Sequence, residues 1–226
     1  RPPEGLPETG AAHLSFDEAA IGELAARELL DLDLASYAYV QDPGEYWSTE
    51  REAGFIRALA TNFKNAYSFE EPTGKRNALR RNITLANWLK RLPKPAGVFV
   101  ARDQIAVRVL EACDHAGIAV PEDIVVIGTD NSETVCETAR PTISSIAFDY
   151  AECNMCACSA LNALMQRPGQ RCRKIKIKPD RLVRRGSTMR LRRADKTVIA
   201  ARDLIRTRAC SGLKARRALP LQPPHG

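Results

Sequence analysis

The stretch Val125-Val126-Ile127-Gly128-Thr129-Asp130-Asn131 constrains the fold more than any other part of this chain. It follows an apolar strand, Gly97 to Ala101, then a helix opening at Asp103, then the phrase Ala116-Gly117-Ile118-Ala119-Val120-Pro121-Glu122-Asp123. Strand, helix and strand in succession predict a unit of parallel sheet. An apolar strand that ends in Gly-x-Asp-Asn places polar side chains at the carboxyl edge of that sheet. Open α/β sheets hold small ligands at that edge, so the feature predicts a chain that binds a small polar molecule.

The pattern upstream agrees. Apolar residues at Ile21, Leu24, Ala25, Leu29 and Leu32 have helical spacing over Asp17 to Leu32, with Ser15 or Asp17 placed to cap the start. Ser36-Tyr37-Ala38-Tyr39-Val40 reads as a buried strand, and Asp42-Pro43-Gly44 as a loop. A helix is expected from about Ser48 to Asn62, a short strand over Asn65 to Phe69, and a helix over Asn77 to Arg91. The segments Gly97 to Ala101, Asp103 to Ala116 and Ile124 to Ile127 continue the alternation, followed by a polar loop to Pro141. Strands alternating with helices imply a parallel sheet covered on both faces, an α/β three-layer sandwich.

Beyond Thr142 the rhythm changes. Ile143 to Ala147 reads as extended, and Asp149 to Gln166 as an amphipathic helix rich in Ala, Leu and Met. Lys174-Ile175-Lys176-Ile177-Lys178 alternates as a half-exposed strand does, and Arg181 to Arg185 reads as another strand. Ala194 to Arg208 has a helical pattern. Residues 215–226 have three prolines and no periodicity and are expected to be disordered, and residues 1–12 form an irregular lead-in.

Composition narrows the function classes. No run approaches the roughly 20 apolar residues of a membrane span, and no secretion signal is visible, so a cytoplasmic protein without membrane contact is expected. The net charge of +7 is unevenly distributed. Arg167 to Arg217 holds 19 Lys and Arg against three acids, while the remainder holds 15 basic and 24 acidic residues. Such a division reads either as a nucleic-acid-facing end or as a solvated basic tail. Cys153, Cys156 and Cys158, with Cys172 beyond, have a spacing that a metal site also uses. On an Ala- and Leu-rich helix they read better as small apolar residues, reduced and without metal. The motifs Gly-x-Ser-x-Gly, His-Glu-x-x-His and the Gly-rich phosphate loop do not occur. A small α/β enzyme therefore has no catalytic constellation to rest on, and no cofactor is called for.

Three local signatures, in order and at suitable separations, carry a resemblance. They are Asp17-Glu18-Ala19-Ala20-Ile21-Gly22 running to Leu30, then Arg51-Glu52-Ala53-Gly54-Phe55, then Val100-Ala101-Arg102-Asp103-Gln104-Ile105-Ala106 with Ile127-Gly128-Thr129-Asp130-Asn131. They resemble the sugar-sensing domain of LacI/GalR-type transcription regulators, which share the periplasmic-binding-protein-like (type I) fold. Tyr46-Trp47-Ser48 before Arg51, and Trp88-Leu89-Lys90-Arg91-Leu92-Pro93-Lys94-Pro95-Ala96-Gly97, resemble a narrower group, the XylR-type regulators. These fuse a LacI-type sensor to a C-terminal AraC-type DNA-binding domain. Val183 to Thr188 resembles the last strand of such a sensor, and Asp195 to Ala200 with Ile205 to Leu213 the first helix and turn of the reader.

The resemblance implies a partial sensor over residues 13–188, one lobe largely complete, then a linker and the start of an all-α AraC-type domain over 189–214. It implies truncation at both ends: most of a first lobe before Asp17 and two helix-turn-helix units after Leu213 are not recognisable. The segment Asp149 to Thr188 would then lack partners for its apolar face, with a cost in solubility or stability. The implied function is an activator that responds to a pentose such as xylose, binds DNA when intact and forms a homodimer. A sugar-binding protein serving transport is the competing reading.

Sugar recognition needs charged or amide side chains that bond adjacent hydroxyls, and an aromatic ring against the apolar sugar face. The resemblance implies Arg51 and Asp130 as ligand contacts; read alone, they are a surface helix arginine and a turn or cap residue. Trp47 and Tyr46 either stack on a pyranose or pack the loop. Asn131 is a further candidate. Arg102 stands where relatives often carry a small polar residue, which questions a preference for neutral sugar. Asp103 reads as a helix N-cap rather than a ligand.

Overall fold

The computed structural model describes residues 11–59, 65–70, 78–167 and 173–190. The lead-in over 1–10, the helix expected over Ala194 to Arg208, the AraC-like segment and the 215–226 tail lie outside the described residues, as does most of the basic run beyond Arg190.

The described chain runs β1 (Ala12–Phe16), α1 (Glu18–Leu30), β2 (Ser36–Val40), α2 (Tyr46–Leu59), β3 (Ala66–Phe69), α3 (Ala78–Arg91) and β4 (Ala96–Val100). It continues with α4 (Asp103–Ala116), β5 (Ile124–Thr129), α5 (Glu133–Thr138), β6 (Ser144–Ala147), α6 (Tyr150–Gln166), β7 (Arg173–Ile177) and β8 (Arg181–Val183), ending in a 3-10 turn at Gly186–Thr188. The main sheet has the order β3-β2-β4-β5-β6-β8. Its first five strands are parallel, and β8 closes the edge antiparallel to β6. β2, β4 and β5 are buried along their whole length, which is why they read as continuous apolar runs rather than alternating ones.

The chain turns outward to β3 and then back across β2 to β4, so α2 and α3 cover opposite faces, as right-handed crossovers require. α1 packs on α2 and α3 on α4, giving the expected three layers. Tyr39, Phe55 and Phe99 form an aromatic cluster beneath α2, with ring centroids 5.2 Å (Tyr39–Phe99) and 5.4 Å (Phe55–Phe99) apart. The Tyr39 hydroxyl donates to the Ser48 carbonyl at 3.0 Å and so ties the first turn of α2 to β2. Asp17, not Ser15, caps α1, accepting from the Ala20 amide at 3.3 Å. α4 ends where Gly117 takes a left-handed φ of 68°, a backbone state that glycine adopts without steric cost.

Three elements differ from the sequence reading. Ala12–Phe16 is a strand, paired in parallel with β7 in a separate two-stranded sheet. The polar loop before Pro141 contains α5, a single polar helix that buries only Cys136. Tyr46 and Trp47 open α2 instead of lying in a loop. α6 forms as expected, and its apolar face is open as the sequence reading anticipated: it buries only Ala160 and leaves Met155 at 66%, Leu161 at 60% and Met165 at 72% exposure. Among the described residues no helix is long and apolar enough to cross a membrane, and no three His, Cys, Asp or Glu side chains gather as a metal site would require.

Candidate functional site

Strand order reverses between β2 and β4, and the carboxyl ends of β2, β4 and β5 lie side by side there. This is the switch point at which doubly wound sheets take ligands. Four of the five residues singled out in the sequence, Arg51, Arg102, Asp130 and Asn131, are tied to that edge by contacts, and Trp47 stacks on one of them.

Arg51 arrives from α2, and the reason lies in two glycines. A Cβ on Gly22 would sit 2.0 Å from the Arg51 carbonyl oxygen, and one on Gly54 2.1 Å from the Ala19 carbonyl oxygen. α1 and α2 therefore touch backbone to backbone, and Glu18 in the first turn of α1 reaches Arg51. The Arg51 Nε donates to the Glu18 carboxylate at 2.6 Å, and Nη1 donates to the Ala101 carbonyl at the end of β4. The Trp47 ring, one helical turn earlier, covers the guanidinium with its centroid 4.6 Å from Cζ, a cation–π contact. Trp47 Nε1 donates to Glu45 at 2.9 Å. Arg51 is 5% exposed, so it is a buried, triply held cation and not a surface arginine. Burial pushes the Glu18 carboxyl up, opposed by Arg51.

Arg102 is half-exposed and forms an ion pair with Asp42 at 2.8 Å. Asp42 follows β2 and Arg102 follows β4, so the pair spans the switch point. A long cation at this position is thereby neutralised from the neighbouring strand.

Asp130 and Asn131 both take positive φ, 97° and 49°, a region uncommon for residues other than glycine and best tolerated by Asn and Asp. Asp130 is partly buried, and burial raises its carboxyl against the lowering influence of Arg51 and Arg102. Its amide donates to the Ile146 carbonyl at 3.1 Å. The Asn131 amide donates to Ser145 Oγ at 3.0 Å, while its side-chain oxygen accepts from Arg185 Nη1 at 2.9 Å. Asn131 thus offers its Nδ2 group, its carbonyl oxygen being engaged.

Asp103 departs from its expected role. Arg102 occupies the N-cap position of α4 without a side-chain cap bond, and Asp103 is fully buried. Asp103 accepts from Ser145 Oγ at 2.6 Å and from the Ser132 amide at 2.8 Å. A Cβ on Gly128 would lie 2.2 Å from Asp103 Oδ1, which explains the glycine in Gly-x-Asp-Asn.

The sequence reading missed Glu18, Asp42, Ser145 and Tyr150. Tyr150, at the start of α6, donates its hydroxyl to the Asp130 carbonyl at 3.2 Å while its ring meets Phe148 edge-on. Of these, Ser145 carried a signal: with Ser144 it puts two hydroxyls in a strand buried throughout, and buried polar groups need partners.

Comparison with known proteins places this arrangement. The periplasmic binding protein-like domain family matches residues 26–188. The chain is similar to the xylose operon regulatory protein of Escherichia coli (strain K12), at 30% identity over 92% of this chain and 54% of that protein. It has the same identity and coverage to the xylose operon regulatory protein of Haemophilus influenzae. The chain therefore spans about half the length of these relatives. Among solved structures, the xylose-binding transcription activator xylR superposes with a TM-score of 0.77 at 29% identity, covering 92% of this chain and 56% of that one. A LacI transcriptional regulator from a Rhodococcus species, at 24% identity and a TM-score of 0.67, shares the fold. With the family model matching residues 26–188 and a parallel sheet whose order reverses at β2 and β4, this chain belongs to the periplasmic binding protein-like domain family.

Proposed function

We propose that this chain is the sugar-sensing part of a transcription regulator and takes a pentose such as xylose at the β2–β4–β5 edge. The observation that carries the reading is the pairing of a locked cation with an unlocked carboxylate. Arg51 is held by Glu18, Ala101 and Trp47, and Asp130 stands within its electrostatic reach. Together they provide donors and an acceptor for adjacent hydroxyls, and Trp47 supplies an aromatic ring beside them. Asn131 and Arg102 complete the contact set, Asn131 as donor and Arg102 as a neutralised rim residue. The relatives named as xylose operon regulatory proteins favour regulation over transport. In the intact protein, DNA is the partner, the assembly is a homodimer, the location is the cytoplasm and no reaction is catalysed.

Calorimetric titration of the chain with D-xylose, L-arabinose and D-ribose tests the reading. Saturable heat with one pentose, abolished in Arg51→Ala and Asp130→Ala, is the expected result. Binding that survives both substitutions would place the ligand elsewhere.

A further inference from the structure

The site displays Asp130 on two successive positive-φ residues, a strained backbone that persists only where its surroundings hold it. A fully buried carboxylate, Asp103, lies directly behind that turn. An ionised side chain in such a place is costly unless its oxygens are bonded. Both oxygens are. Oδ2 accepts the Ser132 amide at 2.8 Å, and Oδ1 accepts the Ser145 hydroxyl at 2.6 Å. Ser145 Oγ in turn accepts the Asn131 amide at 3.0 Å. The Cys136 thiol, buried in α5, lies near Asp103 and favours its ionised form. Donors from the two residues after Asp130 thus converge, directly or through one hydroxyl, on a single side chain.

We propose that Asp103 is the positioning residue of this site: its carboxylate, relayed by Ser145, holds the Asp130–Asn131 turn in the conformation that presents Asp130 to ligand. The proposal deepens the sugar-site reading and rests on it for the word ligand; the geometry of the turn does not. Gly128 fits the same picture, because a side chain there would collide with Asp103 Oδ1 and drive it out of the turn. Asp103→Asn keeps an acceptor for the Ser132 amide while its amide group turns toward Ser145 Oγ. Asp103→Ala leaves the Ser132 amide and the Ser145 hydroxyl without their acceptor.

The test is heteronuclear NMR on the full chain with Asp103→Ala, Asp103→Asn and Ser145→Ala. In the wild type, Asp130 and Asn131 show the strong amide-to-Hα cross-peaks of positive φ, and the Ser132 amide proton lies downfield, as a bond to a carboxylate requires. Asp103→Ala loses all three signatures; Asp103→Asn keeps the cross-peaks. Ser145→Ala shifts the Asn131 amide and leaves Ser132 in place, which keeps the test decisive should Asp103→Ala fail to fold. Retention of every signature in Asp103→Ala, or an unmoved Asn131 amide in Ser145→Ala, overturns the proposal. With D-xylose as probe, affinity falls about tenfold or more in Asp103→Ala and stays within about threefold in Asp103→Asn. A wild type that ignores every pentose refutes the sugar reading, and the NMR result still decides the role of Asp103.

Discussion

Arg51 and Glu18 meet 2.6 Å apart with side chains only 6% and 10% exposed. The pair joins the start of α1 to the middle of α2 and sets the guanidinium toward Ala101 at the end of β4. Removing one partner of a buried ion pair costs more than the pair itself contributes, because the survivor stays buried and unpaired. Glu18→Ala is expected to lower the unfolding free energy by about 3 kcal/mol and to weaken pentose binding as well. Urea denaturation followed by circular dichroism checks the first effect, and a variant as stable as the wild type would remove the pair from the account.

Gly22→Ala and Gly54→Ala should each destabilise the chain by about 1–3 kcal/mol, the usual cost of forcing volume into a packed contact. The added Cβ meets carbonyl oxygens of the opposite helix, which cannot swing aside as a side chain does. The same substitution at Gly44, which has no atom within 4 Å of its Cβ position, meets only the strain of its φ of 83°. Thermal melts of the three variants separate the two causes.

Charge at this sheet edge is expected to favour a neutral ligand. Arg51 faces Glu18 and Arg102 faces Asp42, which leaves the Asp130 carboxylate in excess. D-xylonate should therefore bind at least about tenfold more weakly than D-xylose, a difference near 1.4 kcal/mol. Asp42→Asn, which frees the Arg102 cation, should narrow that gap. Competitive calorimetry with the two ligands measures both, and equal affinities in the wild type would count against the charge argument.

Burial raises the Asp103 carboxyl above its ordinary value, opposed by its bonds to Ser145 and Ser132 and by the nearby Cys136 thiol. The folded chain consequently holds this proton more tightly than the unfolded chain does. Its contribution to stability is fully present below the unfolded carboxylate range, near pH 4, and is lost as pH rises through the folded value. Asp103→Asn, which cannot ionise, should gain stability relative to the wild type as pH increases from about 4 to 7. Urea midpoints across that interval give the difference directly, and a gap that shrinks with pH has the wrong sign.

The buried strands were legible because their burial is complete: Ser36–Val40 and Ala96–Val100 leave no polar face. The Asp17 cap and the Gly117 terminus were legible for local reasons, a side chain bonding three residues ahead and a glycine free to adopt positive φ. What escaped depends on distance along the chain. Ala12–Phe16 becomes a strand only beside Arg173–Ile177, and no local pattern announces that partner. Arg102 looked like a departure toward charged ligands because Asp42, sixty residues earlier, is not visible from its own motif. Asp103 was misplaced for a subtler reason. A capping aspartate and a buried one have the same neighbours in sequence, and only the Ser132 and Ser145 donors distinguish them.

The bare contact between α1 and α2 also has a mechanical meaning. Two helices with no side chain between them at Gly22 and Gly54 cannot slide past one another, so they turn as a single spar. Arg51 and the small sheet both meet this spar at the start of α1: Glu18 pairs with Arg51, and the amide of the preceding Asp17 bonds to Ile177 at the end of the small sheet. A load on the small sheet would therefore reach the Glu18–Arg51 pair through the single residue Asp17, while the bond from Arg51 to the Ala101 carbonyl anchors the guanidinium to the main sheet.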